Sequence, residues 1–135
     1  MNYLQAFAIS ASGMAVEKMR VDVTAANLAN AYSTRAADGG TFRAQRVVSA
    51  ERAGGFESLL RGAQVVELQP VDAPPRLAFE PGHPDADDRG YVAYPGISPV
   101  SEMVALLTAQ RAYEANVAAL NAAKAMALKT LELGG

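Results

Sequence analysis

An uninterrupted C-terminal stretch, residues 100–133, constrains this chain more than any other feature because it contains neither Gly nor Pro. Ten of its 34 residues are Ala, which has the highest intrinsic helix propensity. Ser98 can cap the start of a helix, Pro99 suits its first position, and Gly134 follows the last apolar residue. The stretch therefore predicts a single helix about 50 Å long, at ~1.5 Å per residue.

Apolar residues follow two separate stripes along this predicted helix. The first consists of Met103, Leu106, Tyr113, Val117, Leu120, Ala127 and Leu131. The second consists of Ala105, Ala112, Ala115, Ala119, Ala122, Met126 and Leu133. The stripes start two residues apart, so they lie roughly 200° apart around the helix. A helix that is apolar on opposite sides needs neighbours on both, and a chain of 135 residues can hardly supply them. We therefore expect this protein to assemble with other subunits.

The N-terminal segment, residues 3–30, predicts a second long helix because it has no Pro and a single Gly. Its apolar positions recur at alternating spacings of four and three, which is typical of a helix packed against another helix. These positions are Phe7, Ala11, Met14, Lys18, Val21, Ala25 and Leu28, of which all but Lys18 are apolar. Asn27 and Asn30 tolerate the left-handed conformation and are expected to mark the end of the helix.

The middle of the chain, residues 31–98, holds six of the seven prolines and most of the glycines. Short runs at 42–48, 64–68, 77–80 and 91–94 predict three or four strands separated by turns. Residues 54–62 are compatible with either a loop or a helical turn. The predicted fold is mainly α with a small β insert, in which long N- and C-terminal helices pack as a coiled-coil-like pair. We expect one structural unit, made of an axial helix (1–30), an insert with loops (31–98) and a second axial helix (99–135).

Composition excludes several functional classes. A net charge of −2 lacks the basic excess typical of nucleic-acid binders. The absence of cysteine excludes disulfides, cysteine-ligated zinc and thiol catalysis. The first basic residue is Lys18, so we expect no Sec-type signal peptide, and no apolar run approaches the ~20 residues of a membrane span.

The best candidate for a metal site is the acidic group Asp85, Asp87 and Asp88, which partly follows the EF-hand pattern. Arg89 takes the fifth position of that pattern, and Gly96 stands where a bidentate Glu is needed. An incomplete ligand set favours a solvated acidic loop.

His83 is the only histidine, and neither a nucleophile nor an orienting group accompanies it in a recognisable motif. The sequence therefore predicts no catalytic, metal-binding or cofactor-binding residue, and the protein is not expected to be an enzyme.

On the C-terminal helix, Gln110 and Asn121 interrupt apolar surfaces and are candidates for fixing register between subunits. Arg111 and Glu114 are compatible with a solvated ion pair.

Both ends of the chain resemble a known family. Residues 10–14 and 24–30 are similar to the N-terminal motif of bacterial flagellar rod and hook proteins, and residues 110–116 are similar to their C-terminal motif. The residues assigned to these assembly motifs are Asn27, Leu28, Ala29, Asn30, Gln110, Arg111, Tyr113, Glu114 and Asn116. The residues assigned to helix packing are Phe7, Met14, Val21, Leu28, Met103, Leu106, Val117, Leu120 and Leu131.

Within this family, residues 81–87, 91–95 and 120–124 most resemble a component of the proximal rod. The short insert also favours a rod component over the distal rod and hook proteins, whose middle domains are larger. Tyr32 departs from the pattern, because similar proteins usually carry a small polar residue there. Residues 49–62 resemble nothing that we can name.

The resemblance implies a structural subunit of the flagellar basal-body rod, the periplasmic drive shaft that transmits torque and encloses an export channel. It implies type III export without a cleaved signal peptide, and no cofactor. The implied partners are further copies, other axial proteins, the rod–ring junction protein FliE and the export apparatus. Alternatives are another rod component such as FlgB, a self-contained helical-hairpin binding module, and a small hydrolase that uses His83 and Asp85.

Overall fold

The computed structural model describes residues 3–51 and 62–134. Two long helices enclose four short strands in the chain, which confirms the predicted fold class. In order, the elements are α1 (Tyr3–Ala29), β1 (Gln45–Glu51), β2 (Ala63–Pro70), β3 (Arg76–Phe79), β4 (Tyr91–Tyr94) and α2 (Pro99–Leu133). The undecided segment 54–62 lies outside the described residues except for Gly62.

The two helices lie antiparallel and in extensive contact. Near one end of the pair, the Tyr3 hydroxyl lies 2.8 Å from Thr130 Oγ1. Near the other end, Asn27 Nδ2 donates to Glu102 Oε2 at 3.2 Å. The pairing therefore runs along almost the full length of α1.

The start and end of α2 match the expected caps. Ser98 has an extended backbone (φ −92°, ψ 109°), and its Oγ accepts a hydrogen bond from the N–H of Ser101 at 3.4 Å. Pro99 is the first helical residue, and the N–H of Gly134 closes the last turn on the carbonyl of Thr130 at 3.1 Å. The cap explains why the helix starts here, because it satisfies an N–H that has no partner within the helix.

The end of α1 differs from the prediction that asparagines in the left-handed conformation would close it. In the described part of the chain, no residue other than glycine has a positive φ. The helix ends instead in a tight turn, where the N–H of Ala31 donates to the carbonyl of Leu28 at 3.2 Å. Asn30 Nδ2 donates to the carbonyl of Ala26, while Asn27 lies inside the helix and uses its side chain elsewhere.

The four strands form two separate antiparallel hairpins. The β1–β2 hairpin runs from the pair Gln45↔Pro70 to Glu51↔Ala63, with a bulge between Val48 and Ser49, and it packs on α1. The β3–β4 hairpin runs from Arg76↔Tyr94 to Phe79↔Tyr91. Of the three or four strands predicted, all four are present, and β1 begins three residues later than expected because residues 42–44 belong to the loop that leads into it.

The buried core is small and lies where the end of α1, the start of β1 and the start of α2 converge. Ala31, Ala44 and Ile97 are its buried members, with Phe42 and Val71 packed against them. Since this cluster lies at one end of the molecule, the two helices are held together along most of their length by their own contact.

The centre of the α1 interface is more polar than the stripe predicted from the sequence. The buried residues of α1 are Ser10, Val16, Thr24 and Asn27. Among the predicted packing positions, Phe7, Met14, Val21 and Leu28 are half-buried, and Ala11, Lys18 and Ala25 are exposed. The difference arises because α1 contacts both α2 and the β1–β2 hairpin, so its most buried line runs between these two neighbours. Within residues 3–51 and 62–134, no helix is long and apolar enough to cross a membrane.

Candidate assembly site

The two terminal motifs meet in the middle of the helix pair. A Cβ atom added to Gly13 would lie 2.7 Å from Oδ1 of Asn116, which is closer than side chains normally approach. The Asn116 amide is held in place by a hydrogen bond from its Nδ2 to the carbonyl of Ala112 at 3.0 Å. Gly13 therefore provides the space that the Asn116 side chain occupies, and this contact joins the N-terminal motif to the C-terminal motif.

A second junction, at Asn27, ties three elements together. Asn27 Nδ2 donates to the backbone carbonyl of Gln45 at 2.9 Å and to Glu102 Oε2 at 3.2 Å. Its Oδ1 accepts from the N–H of Gln45 at 3.0 Å. The residue is only 3% exposed, so one side chain joins α1 to β1 and to α2 inside the protein.

A third junction joins α1 to the start of β2. Ser12 Oγ donates to the carbonyl of Ile9 at 2.7 Å and accepts from the N–H of Ala63 at 3.1 Å. Gly62 has a φ of +75°, and a Cβ there would overlap Ser12 Oγ and lie 3.2 Å from the Ile9 Cα. Only glycine fits this close approach without strain. Farther along α1, Arg20 Nη2 donates to Ser49 Oγ at 2.7 Å and secures β1.

On the side of the helix pair away from the β1–β2 hairpin, α1 and α2 border a cavity of about 440 Å³. Its lining includes three residues of the C-terminal motif and one predicted packing residue of α1; they are Gln110, Tyr113, Glu114 and Val21. Lys18 and Asp22 complete the wall and form a salt bridge of 2.9 Å, and this hydrogen bond raises the pKa of Lys18. The predicted stripes of the two helices thus border the same groove.

The remaining motif residues lie at or near the surface. Leu28 and Asn30 are half-buried, whereas Ala29, Arg111 and Glu114 are exposed. Arg111 and Glu114 form no ion pair with each other, although their spacing allows one. The structure brings Asn27 and Asn116 into the interior of one subunit, and it leaves Gln110, Arg111 and Glu114 available to neighbours.

A large part of α2 is apolar and exposed. Of the first predicted stripe, Leu106, Val117, Leu120 and Ala127 are half-buried, whereas Met103, Tyr113 and Leu131 are exposed. All members of the second stripe are exposed except Ala112, which is half-buried. Val104 (59%), Leu107 (57%) and Leu131 (74%) have the large exposures expected of side chains without a partner in the subunit. Val104 and Leu107 belong to neither predicted stripe, so the uncovered apolar surface of α2 differs in part from the second stripe that the sequence predicts.

The buried centre of α2 was missed by the sequence analysis. Ala109 and Ala123 are its buried residues, and half-buried Asn116 lies between them at a spacing of seven. Neither alanine belongs to the predicted stripes, because the sequence contains so many alanines that they carry no pattern of their own. The lone Gly13 within a helical stretch was the available signal, since such a glycine often marks a close approach.

The acidic loop after β3 is held both by its own side chains and by two residues that follow α1. Thr34 Oγ1 donates to Asp85 Oδ2 at 2.7 Å, and Arg35 forms a salt bridge with the same carboxylate. Asp87 Oδ1 accepts from the N–H groups of Arg89 and Tyr91 at 2.9 and 2.8 Å. In the part of the chain that the structure describes, no group of three acidic or histidine residues is placed to hold a metal ion.

His83 also has a structural contact. Its Nδ1 accepts a hydrogen bond from the N–H of Asp85 at 3.0 Å. This geometry fixes the backbone of the loop.

Acid is expected to loosen the attachment of this loop. The hydrogen bond from Thr34, with the charge of Arg35, lowers the pKa of Asp85 from its ordinary value of 3.8. Because the pKa is lower in the folded state, the carboxylate stabilises the fold above about pH 4, and this contribution is lost as pH falls through the lowered value. The Asp85→Asn variant should therefore have a lower Tm than the parent at pH 6, and the difference should shrink as the pH falls through the lowered pKa of Asp85. The variant Asp88→Asn, in the same loop, should show no such pH-dependent difference, and a constant gap for Asp85→Asn would contradict the assignment.

Comparison with known proteins identifies the family. The family model described as "Flagellar basal body rod FlgEFG protein C-terminal" matches residues 88–133. The flagellar basal-body rod protein FlgC of Escherichia coli O157:H7 is 43% identical over 136 residues, covering 99% of both chains. The chain belongs to the FlgC family of flagellar basal-body rod proteins.

Similarity to this family extends to distant bacteria. The FlgC protein of Salmonella typhimurium is 43% identical with 99% coverage of both chains, and that of Bacillus subtilis is 36% identical over 93% of this chain and 94% of its own. The resemblance drawn from the terminal motifs and the short insert is thereby confirmed. The protein is a structural subunit of the flagellar rod.

Proposed function

We propose that this FlgC-family subunit polymerises through its terminal helices, with the exposed apolar side of α2 packed against neighbouring axial subunits. The observation that carries the proposal is the row Val100, Val104 and Leu107, which lies on α2 opposite buried Ala109 and is 57–71% exposed. Contiguous apolar surface of this kind marks protein–protein interfaces, since monomeric proteins rarely leave it uncovered.

The small residues farther along α2 suit the same role. The exposed Arg111 interrupts the row, and beyond it Ala115, Ala118, Ala122 and Ala125 are exposed on the same side of α2. Small side chains allow a neighbouring backbone to approach closely, so helices of adjacent subunits can pack tightly along this line. We assign the exposed motif residues Gln110, Arg111 and Glu114 to polar contacts that set the register between subunits.

The mechanical part of the proposal is transmission of torque around an enclosed export channel. Each subunit ties α1 to α2 and to both strands of the β1–β2 hairpin, through Asn27, Gly13 and Ser12. Such ties support rigidity because a load on one helix passes directly to the other. We treat residues 1–30 and 99–135 as the axial helices and 31–98 as the insert of one structural unit.

The cellular setting is proposed from the family. We place the subunit in the basal body, in the periplasmic part of the rod, with other rod components, the rod–ring junction protein FliE and the type III export apparatus as partners. The role is structural and not enzymatic, because it requires surfaces for packing and no reacting group.

Charges introduced on the exposed α2 side should block assembly without unfolding the subunit. In the variant Val104→Glu/Leu107→Glu, both side chains keep their solvent exposure in the free subunit but would be buried without partners in an interface, which is strongly unfavourable. We expect cells that carry only this variant to lose swimming motility and to yield basal bodies without a complete rod. Far-UV circular dichroism and Tm of the purified variant should remain within a few degrees of the parent.

The matched control places one glutamate on the exposed turn that follows α1. Ala37→Glu lies away from the row on α2, so it should preserve motility. Normal rods in the Val104→Glu/Leu107→Glu strain would refute packing through this surface.

A further inference from the structure

The β3–β4 hairpin and its connecting loop form a unit that is tied together internally. At the base of the loop, the N–H of Glu80 donates to the carbonyl of Gly90 at 2.9 Å. The N–H of Asp87 donates to the carbonyl of Tyr91 at 2.8 Å. The rings of Phe79 and Tyr91 pack edge to face with centroids 5.3 Å apart. With these contacts, the hairpin can keep its own shape when its position changes.

This unit is joined to the rest of the protein by a narrow neck, and the hairpin has no extensive contact with either helix among the described residues. The neck consists of residues 73–75, which enter β3, and residues 95–96, which leave β4. A Cβ on Gly96 would overlap the carbonyl of Pro74 and lie 3.0 Å from the Ala73 Cβ, so the two segments are pressed together. Beside the neck, a cavity of about 350 Å³ separates Arg76 of the hairpin from Ser98 at the start of α2.

Val92 of β4 is fully buried, and among the described residues two side-chain contacts join the hairpin unit to the segment that follows α1. In the first, Thr34 and Arg35 both bind the Asp85 carboxylate. In the second, the Arg76 guanidinium lies between two rings, 5.9 Å from the centroid of Tyr32 and 5.3 Å from that of Tyr94. We call five of these residues the linker clamp: Tyr32, Thr34, Arg35, Arg76 and Asp85. Tyr94 is not counted in the linker clamp.

The linker clamp is attached directly to the last turn of α1. The N–H and Oγ of Ser33 donate to the carbonyl of Asn30 at 3.1 and 2.9 Å. Asn30 Nδ2 in turn donates to the carbonyl of Ala26, inside the helix. A displacement of the end of α1 is therefore passed to Tyr32, Thr34 and the hairpin unit.

From these contacts we infer that the β3–β4 hairpin is a hinged unit that pivots at its neck, and that the linker clamp couples its orientation to the end of α1. Packing of α1 against a neighbour would then reposition an exposed hairpin face. Because the inference concerns the free subunit, it stands or falls independently of the proposed packing through α2.

Paired spin labels measure this orientation directly, and the native chain contains no cysteine to interfere. One label is placed at Gly82→Cys, where an added Cβ meets nothing within 4 Å, and the other at Ala25→Cys, which is exposed on α1. In the full-length subunit, double electron–electron resonance should give one narrow distance distribution. Removing both parts of the clamp with Asp85→Ala/Arg76→Ala should broaden that distribution at least two-fold.

The control Asp88→Ala/Arg89→Ala also removes one acidic and one basic side chain from the hairpin unit without touching the clamp, and its distribution should match that of the parent. Amide exchange in β4 should stay slow in the clamp variant, since a hinge moves the hairpin without opening it. The proposed coupling through the linker clamp would be overturned by any of three results. These are an unchanged width in the clamp variant, equal broadening in the control, or a broad distribution in the parent. Loss of protection in β4 would replace the hinge with local unfolding.

Discussion

Replacing Asn27 with Leu is expected to lower the free energy of unfolding by about 3 kcal/mol, because three hydrogen bonds at a buried junction are lost together. The substitution leaves the N–H and the carbonyl of Gln45 without their partner and deprives the Glu102 carboxylate of a donor. Each buried polar group that loses its partner costs about 1–3 kcal/mol, so a side chain of similar size cannot compensate by its apolar character.

Urea denaturation followed by far-UV circular dichroism measures this loss at neutral pH. The same substitution at Asn121 is the control, because Asn121 is exposed on α2 and makes none of the observed side-chain hydrogen bonds. Asn121→Leu should change the free energy of unfolding by less than about 0.5 kcal/mol, as surface substitutions usually do. Equal losses for the two variants would show that the Asn27 junction does not hold the three elements together.

The helices and their ends could be predicted from the sequence because the signals are local. The stretch that became α2 lacks Gly and Pro over more than nine turns, and Ser98-Pro99 supplies the start. The strands were found for the same reason, since Gly and Pro pairs separate short β-branched runs. Local sequence signals were sufficient to predict a helix or strand wherever the residues that determine it lie close together in the chain.

The centre of the helix interface could not be predicted, because small and polar residues carry it. A search for apolar periodicity on α1 selects Phe7 and Met14, which are half-buried at the edge of the pair. The most buried positions include Ser10 and Thr24, and these look like surface residues in a sequence. They are buried because the β1–β2 hairpin covers the flank of α1, and this hairpin begins at Gln45, 21 residues after Thr24.

Contacts between distant segments were also invisible to sequence reasoning. Thr34 and Asp85 are separated by 51 residues, and Ser12 and Ala63 by the same number. Asn27 was read as a residue that ends a helix, yet its amide has one donor group and one acceptor that match the backbone of Gln45. The same side chain is suited to both roles, and only the position of β1 decides between them.

Enlarging Gly13 to Leu should be nearly as damaging, with an expected loss of about 3 kcal/mol, at the upper end of the usual cost of overpacking. The first added carbon would already lie 2.7–3.0 Å from all three heavy atoms at the end of the Asn116 side chain. The amide would have to leave its hydrogen bond to Ala112, and the remaining carbons would force α1 and α2 apart.

A smaller change at the same position tests whether Asn116 is the cause. Gly13→Ala adds the clashing carbon but also gains up to ~1 kcal/mol of helix propensity, so its net loss should be about 1–2 kcal/mol. Adding Asn116→Ala removes the clash and should make the double variant more stable than Gly13→Ala alone. A double variant less stable than Gly13→Ala would contradict direct contact between the two motifs.

Gly82→Ala provides the baseline for these measurements, because an added Cβ there meets nothing within 4 Å. Its denaturation midpoint should stay close to that of the parent. If all four variants behave as predicted, the two terminal motifs are in direct contact within a single subunit. The glycine on one helix then makes room for the asparagine on the other. The spacing of the two helices, and with it the position of the exposed α2 side, would then be set by this one pair.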